Sequence, residues 1–311
     1  MLNALTVDVE DYFHVEAFAQ HIPYHAWDSY EPRVERNVFR ILELFARYGV
    51  TATFFVLGWV AEKFPNLGKE IASAGHEIGC HSYAHRRLHL MTSAEFRKDL
   101  RLAATLIGDQ VGKPIRCFRA PSFSIVRETM WAFEILAEEG FFIDSSIFPV
   151  RHDFYGIPNA NRFPHREHAL SNKAVFEFPP STIRVGNRNY GVAGGGYLRL
   201  MSYGMTHWAI RRINEVEGHA ALVYFHPWEI DPAQPVIRSG FRSTVRHYTN
   251  LFTMEGKIER LLQEFKFTSL TKSSMQYQDA MAAVSAERVT SPEHRQAAAA
   301  AAAADKSTSN R

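Results

Sequence analysis

The sequence reads as an α/β protein built on a parallel sheet, and three observations say so. Short apolar, β-branched stretches alternate with amphipathic helical ones along most of the chain, an order that buries a parallel sheet beneath crossover helices. Clusters of Asp, Glu, His and Arg stand just after the apolar stretches, at the strand ends where α/β barrels and open sheets place their chemistry. The chain has 311 residues, 46% hydrophobic and 22% charged, which suits a globular protein with a large core.

The elements follow in order. Leu5 to Val9 is a buried strand that runs into the acidic cluster Asp8-Val9-Glu10-Asp11. Val34, Val38, Ile41, Leu42 and Phe45 form one stripe of a helix over residues 33–48, which Gly49 stops. Residues 51–57 are β-branched and aromatic, a second strand. A helix over 60–74 is interrupted near Pro65, and a third strand over 76–80 delivers His81 and His85. Thr92 or Ser93 caps a helix that runs to Ile107, with Glu95 in its first turn. Strand 115–118 leads into Arg119-Ala120-Pro121-Ser122, helix 128–139 ends at Gly140, and strand 141–143 leads into Asp144. Residues 150–200 are rich in Pro, Asn, Arg, His and Gly, and read as a loop-rich excursion over the barrel mouth with one strand at 174–178. A helix over 201–216, a buried strand over 220–225 ending in His226-Pro227-Trp228-Glu229, a helix over 254–265 and a strand over 267–270 complete the domain. From Lys272 the composition turns to Ser, Gln, Ala, Glu and Arg, with an alanine run at 297–304, and residues 272–311 are expected to be a disordered tail.

Charge and cysteine content narrow the class. Lys and Arg number 35 against 33 Asp and Glu, a net +2 that gives no reason to expect nucleic acid. Two cysteines, Cys80 and Cys117, fall in strands and make no disulfide framework. The first residues lack a basic and apolar leader, and no apolar run approaches the ~20 residues of a membrane helix. A cytoplasmic location is therefore expected, with peripheral membrane contact left open.

The chemistry centres on Gly79-Cys80-His81-Ser82-Tyr83-Ala84-His85. On a helical turn, His81 and His85 would share one face and grip one cation, and neutral imidazole is a common zinc ligand. Two histidines do not complete such a site, and the acidic run can supply a third ligand. Arg119, Asp144 and His226 stand at the ends of three further strands. Gly194-Gly195-Gly196 is either a flexible turn or a cradle for an anion.

The acidic run, the His-Ser-x-x-His pair, Arg119-Ala120-Pro121, Asp144 and Leu222-Val223-Tyr224-Phe225-His226 together resemble the polysaccharide deacetylases of carbohydrate esterase family 4, the NodB-homology group. The wording Val-Asp-Val-Glu-Asp-Tyr-Phe, Asp-Ser-Ser-Ile-Phe-Pro, Gly-Gly-Gly-Tyr and Tyr-Phe-His-Pro-Trp-Glu resembles the branch associated with exosortase and exopolysaccharide clusters (XrtA/PEP-CTERM). The resemblance implies a distorted (β/α) barrel over residues 1–271, with 150–200 as a loop-rich insertion, and a divalent metal, zinc by preference. It implies His81 and His85 as metal ligands, Asp8 as general base, Arg119 as the partner of that base and His226 as general acid. It also implies the Ser122 amide as an oxyanion donor, and Asp144 as a member of the cluster that orients the acid. Relatives mostly carry adjacent aspartates, whereas Val9 follows Asp8 here. Strand alternation puts Asp8 and Glu10 on one face and makes Glu10 the third ligand, with Asp11 as competitor.

The implied activity is removal of N-acetyl groups from a sugar in an exopolysaccharide or its lipid-linked precursor. A hydrolase of cyclic amides or acetylated polyamines on the same scaffold is the alternative. A non-haem iron oxygenase also uses two histidines and a carboxylate, and a non-catalytic sugar binder would keep the fold but need no acid–base pair. Trp228 and Tyr197 are candidates to line a sugar cleft. Arg238, Arg242, Arg246 and His247 form either a solvated basic face or a contact for a lipid-linked pyrophosphate. His14, His76 and His89 are expected to be structural.

Overall fold

The computed structural model describes residues 1–152, 155–168, 174–237 and 239–290. Its centre is a curled sheet. Strands β1 (Asn3–Val9), β2 (Thr53–Val56), β3 (Glu77–Cys80), β4 (Cys117–Phe118) and β5 (Ile143–Asp144) pair in parallel in that order. After β6 (His165–His168), β7 (Ala174–Glu177) joins β5 in parallel, and β6 pairs with β7 antiparallel at the outer edge. The hairpin β8 (Thr182–Val185) and β9 (Arg188–Gly191) forms a separate two-stranded sheet. On the other side of β1 lie β10 (Leu222–Phe225) and the short β11 (Phe267–Thr268).

Irregular chain spans the gap between β7 and β10. Ser181 donates its amide to Leu222 O at 3.4 Å, and Tyr224 donates its amide to Ala193 O at 3.0 Å. This explains the glycine run. A Cβ on Gly194 would stand 1.9 Å from the Tyr224 ring, so only glycine lets the backbone come this close to β10. The run is a packed joint of the barrel wall.

Helices cover the outer face. α1 (Val34–Tyr48) buries Val34, Val38, Ile41, Leu44 and Phe45 and ends on Gly49 at φ +62°. The stretch around Pro65 splits into α2 (Gly58–Lys63) and α3 (Leu67–Ser73), because proline cannot continue a helix begun before it. α4 (Ser93–Val111) opens on a reciprocal cap. Thr92 Oγ1 accepts from the Glu95 amide, and Glu95 Oε2 accepts from the Thr92 amide. α5 (Ala132–Glu138), α6 (Gly195–Leu200), α7 (Tyr203–Arg211), α8 (Phe241–Tyr248) and α9 (Leu251–Glu264) follow. None of the described helices is long and apolar enough to cross a membrane.

The period of two along each strand divides the core. Val7, Val9, Phe54 and Val56 face outward to the helices, whereas Ala4, Phe55, Cys117, Ile143, Phe176, Leu222 and Tyr224 fill the inside of the curl. The stretch 150–200 is thus less of an excursion than its composition suggests, since β7 is a member of the sheet. The expected tail also begins as structure. α10 (Leu270–Thr290) plugs the N-terminal end of the strands, with Leu270, Ser273, Ser274 and Tyr277 buried. The Leu270 amide donates to Thr53 Oγ1 at 2.7 Å, and Thr271 Oγ1 donates to Glu77. The alanine run lies outside the described residues.

Two structural histidines give the fold a pH dependence. Burial pushes His76, packed on Phe45 and Phe54, down to about 4. Burial also pushes His247, stacked on Trp228, down to about 3. Between those values and the ordinary imidazole range the unfolded chain binds protons that the folded chain refuses, so stability falls as pH falls. Asp11 opposes this, since burial raises it to about 6 and the folded state binds its proton first. Burial raises Asp99, Asp144 and Glu177 in the same direction as Asp11, so the histidine contribution is read by comparison: His76→Asn is expected to lose less melting temperature than the parent between pH 6.5 and 4.5 in thermal melts. Equal losses in the two proteins would contradict the assignment.

Candidate metal centre and catalytic site

Loops leaving β1, β3, β4 and β10 converge at the C-terminal mouth of the curl. Thr6 and Asp8 share the inner face of β1 by alternation. At its end the Glu10 amide donates to Asp8 O at 2.9 Å, which keeps the Glu10 carboxylate over the mouth. Glu10 Oε1 lies 3.0 Å from His81 Nε2 and 3.1 Å from His85 Nε2, and all three side chains are buried.

Those contacts fit a cation. His81 Nδ1 is 2.8 Å from the carbonyl oxygen of Arg119. A carbonyl only accepts, so Nδ1 carries a hydrogen, and a neutral ring would offer its Nε2 lone pair on the side of Glu10. A metal ion between Nε2 and the carboxylate would satisfy both; without one, Nε2–H donates to Glu10. Zinc ligand atoms at 2.0–2.1 Å in a tetrahedron stand about 3.3 Å apart, near the spacing seen here. For Glu10, burial alone would raise the carboxyl, but His85, His226 and His81 together hold it well below the carboxylate range. For His85, burial would lower the imidazole, and Glu10 outweighs it, so the ring is held above its usual value. The mouth thus presents one buried carboxylate bounded by two imidazoles.

The histidine loop is not the helical turn that the spacing suggests. Residues 81–87 are irregular, with Ser82 at φ +66° and His85 at φ +52°. The backbone is held there because Ser82 Oγ and the Tyr83 amide both donate to Asp99 Oδ1 on α4. The Ser82 and Tyr83 carbonyls in turn accept the first amides of α2, from Gly58 at 2.9 Å and Trp59 at 3.0 Å. A Cβ on Gly58 would meet the Tyr83 ring at 2.5 Å and Tyr83 Cα at 3.0 Å. Gly58→Val is therefore expected to shift this loop, lower stability by about 1–3 kcal/mol and weaken zinc binding. Thermal melts and zinc titration check both.

Asp11 takes no part in the cluster. Its Oδ2 accepts the amides of Arg33 at 2.6 Å and Val34 at 2.8 Å, and its Oδ1 accepts from Tyr12 at 2.9 Å. It caps α1 from a distance. His14 lies behind it, accepting the Asp11 amide at Nδ1 and packed among Phe13, Trp27 and Trp59.

Asp8 faces the opposite wall. Its Oδ1 accepts from Arg119 Nη1 at 2.6 Å, and its Oδ2 stands 3.9 Å from His226 Nε2. Arg119 is fully buried. It also donates to Thr6 Oγ1 at 2.8 Å, Ser145 O at 3.0 Å and Ser145 Oγ at 2.8 Å, and lies 4.4 Å over the Phe55 ring. His226 Nε2 is also 3.9 Å from Glu10 Oε1, so the ring stands between the two carboxylates. Burial would lower this imidazole, but Glu10, Glu229 and Asp8 outweigh it and hold it up at about 9.

The hydrogen bonds described for Asp144 do not include His226. Asp144 accepts from the Ser146 amide at 2.9 Å and Ser146 Oγ at 2.7 Å, and it pairs with Glu177. Burial pushes both carboxyls up, since two buried carboxyls side by side disfavour ionisation of both. Ser146 Oγ accepts the Ala120 amide at 2.8 Å. Asp144 therefore shapes the turn whose Ser145 holds Arg119. Ser122, at φ +53°, and Phe123, at φ +52°, stand in the turn after Arg119. Left-handed non-glycine residues in both the β3 and β4 loops mark strained backbone around this mouth.

What sequence reading missed is the partner of His226. Its Nδ1 lies 3.0 Å from Glu229 Oε2, and Glu229 Oε1 accepts from Arg199 Nε at 2.6 Å. The three-residue spacing from His226 was the available signal; nothing local pointed to Arg199. Trp228 is 4% exposed, between His226 and His247, so it belongs to the core and not to an open cleft. Tyr197 is half-buried beside Phe148. Of the expected basic face, Arg246 is exposed and His247 is buried, while Arg238 and the Arg242 side chain lie outside the described residues.

Comparison with known proteins follows the same lines. Residues 24–136 match the family described as polysaccharide deacetylase, and residues 145–274 match a domain of unknown function, DUF3473. A peptidoglycan-N-acetylglucosamine deacetylase of Bacillus cereus is 36% identical over 96 residues, which cover 30% of this chain and 35% of the relative. A peptidoglycan deacetylase of Helicobacter pylori is 34% identical over 113 residues, covering 36% of this chain and 38% of the relative. The matched segment thus spans little more than a third of these relatives. A Mycobacterium smegmatis structure with a provisional polysaccharide deacetylase description superimposes with a TM-score of 0.58 at 21% identity, covering 90% of this chain and 91% of that one. The PuuE allantoinase superimposes with a TM-score of 0.58 at 14% identity, covering 94% and 91%. These two likenesses concern the fold, a NodB-type (β/α) barrel. Family match and relatives point the same way: residues 24–136, little more than a third of this chain, are similar to the polysaccharide deacetylase family.

Proposed function

We propose that the chain is a metal-dependent hydrolase that removes acetyl groups from N-acetylated sugars. The observation that carries this reading is the placement of His226 Nε2 3.9 Å from both Asp8 and Glu10, with His81 and His85 on the same Glu10 oxygen. Glu10, His81 and His85 would hold the metal, zinc by the donor set of two imidazoles and a carboxylate. Bound there, a zinc ion supplies Lewis-acid polarisation and lowers the pKa of a water.

The chain's own residues then divide the proton work. Asp8 is the base that takes a proton from the attacking water as its oxygen bonds the acetyl carbon. Arg119 keeps that carboxylate oriented through its 2.6 Å bond to Oδ1. The C–N bond breaks, His226 Nε2 gives its proton to the departing amine, and acetate leaves. The Ser122 amide is the donor for the oxyanion, and Asp144 supports Arg119 from behind through Ser145. Residues 1–271 act as one catalytic domain, to which the first turns of α10 add a floor.

The sugar is proposed to belong to an exopolysaccharide or a lipid-linked precursor, on the wording of the motifs around Glu10, Gly194 and Trp228. Curated relatives are named for peptidoglycan, so that polymer is the competing substrate. An iron oxygenase role gains no support from this α/β barrel, nor does it call for the Asp8–His226 couple. Acetate release tests the reading, using zinc-loaded protein with N-acetylhexosamine oligomers, peptidoglycan and lipid-linked N-acetyl sugars as substrates, while ring opening is followed separately with allantoin. Release from a sugar substrate, lost on metal chelation, is expected. Hydrolysis of allantoin alone would replace the reading with a cyclic-amide hydrolase.

A further inference from the structure

The acid histidine has a support of its own, and every part of it comes from the segment that matches the domain of unknown function. Glu229 Oε2 receives both the His226 backbone amide and the ring Nδ1, each at 3.0 Å. Glu229 is fully buried, and Arg199, 3% exposed, grips its other oxygen at 2.6 Å. Arg199 is fixed in turn, since its Nη1 donates to the carbonyls of Arg246 at 2.8 Å and His247 at 2.6 Å. The ring of His226 stacks on Trp228 at 5.2 Å and 22°, and Trp228 stacks on His247 at 4.2 Å and 15°. No freedom remains for the carboxylate to turn, and little for the imidazole.

Such an arrangement has a chemical consequence. A carboxylate at Nδ1 keeps a hydrogen there in both protonation states of the ring. The exchangeable proton is then confined to Nε2, the nitrogen that faces Asp8 and Glu10 at 3.9 Å. We propose that Glu229, locked by Arg199, is the positioning residue that holds His226 in the rotamer and tautomer required to protonate the leaving amine. The segment 145–274 thereby supplies the acid half of the active site, facing the metal and base half from the rest of the chain. This inference rests on the acid role given to His226 above.

Glu229→Gln tests it in the zinc-loaded full chain. A glutamine has one oxygen for three donors. If that oxygen stays on His226, an amide N–H meets Arg199 Nε–H; if it turns, an N–H meets Nδ1. Either way the support is broken while the volume is kept. The expected result is a fall in kcat of about 100-fold, within the range attached to a well-placed general acid, with KM and zinc affinity unchanged within about twofold. Arg199→Lys, which keeps the charge but loses the planar fork, should give a smaller fall in the same direction. A second readout does not depend on turnover. Ring ¹⁵N chemical shifts of His226 in metal-free protein, recorded above about pH 9 where the ring is neutral, should report hydrogen on Nδ1 in the parent, and a mixture of tautomers in both variants. Parent-like kcat together with unchanged ring shifts would overturn the proposal. If the parent releases no acetate from any substrate, the deacetylase reading fails, and the ring shifts alone still decide whether Glu229 sets the tautomer. A Glu229→Gln chain that does not fold leaves Arg199→Lys to decide by the same two readouts.

Discussion

Replacing Asp8 by Asn is expected to lower turnover about a thousandfold, the upper part of what acid–base participation contributes, with zinc affinity nearly unchanged. The geometry separates the two effects. Asp8 Oδ2 stands 3.9 Å from His226 Nε2, and of the two described groups that could hold a metal, Glu10 with His81 and His85 is tighter than Glu10 with Asp8 and His226. Asparagine keeps an oxygen for Arg119 but puts an amide where a proton must be taken up. It also leaves the fully buried Arg119 guanidinium without its counter-charge, which is costly in a dry interior. Some loss of melting temperature should therefore accompany the loss of turnover. Initial rates measured below the melting transition, with zinc bound in stoichiometric amount, separate catalysis from stability. Full activity in a zinc-loaded Asp8→Asn protein would remove Asp8 from the role of base.

The second large effect distinguishes two neighbours. Glu10→Gln is expected to weaken zinc binding by 100-fold or so, in line with loss of a charged ligand and its orienting contacts. The fold should survive, since Glu10 contributes no main-chain cap. Asp11→Ala should do the reverse. It removes three short bonds to the amides of Tyr12, Arg33 and Val34, and a lost cap with unsatisfied buried donors costs about 1–3 kcal/mol. Zinc titration and denaturant melts on the two variants read the two effects apart. If Asp11→Ala abolished zinc binding in a folded chain while Glu10→Gln did not, the ligand assignment would be inverted.

How much of this was legible in the sequence depends on the range over which each feature is determined. The inner face of β1 is a local matter. Thr6 and Asp8 alternate with Val7 and Val9, and the choice of Glu10 over Asp11 follows from that period. The end of α1 at Gly49, the Thr92–Glu95 cap and the break at Pro65 are equally local, and the structure has each of them. The placement of His81, Arg119 and His226 just after strands follows from the α/β alternation. What failed was long-range. His81 and His85 suggested a helical turn, but Asp99 on α4 and the open end of α2 impose a left-handed loop. Asp144 reads as a candidate beside the acid until Ser145 and Ser146 are seen to turn it toward Arg119 and Glu177. Arg199 comes from a helix in a stretch whose composition reads as loop, and only the tertiary fold brings it to Glu229. α10 was missed because its apolar residues are sparse. It is anchored largely by polar bonds from Leu270, Thr271 and Ser273 to the strand ends and to Leu2, which leave no periodic trace in sequence.

The most direct measurement is an anomalous difference map from crystals soaked in zinc, recorded on both sides of the zinc absorption edge. One strong peak is expected within bonding distance of Glu10 Oε1, His81 Nε2 and His85 Nε2, with Asp11 still capping α1. A map with no peak at that position, or with its main peak on a different set of side chains, would contradict the account.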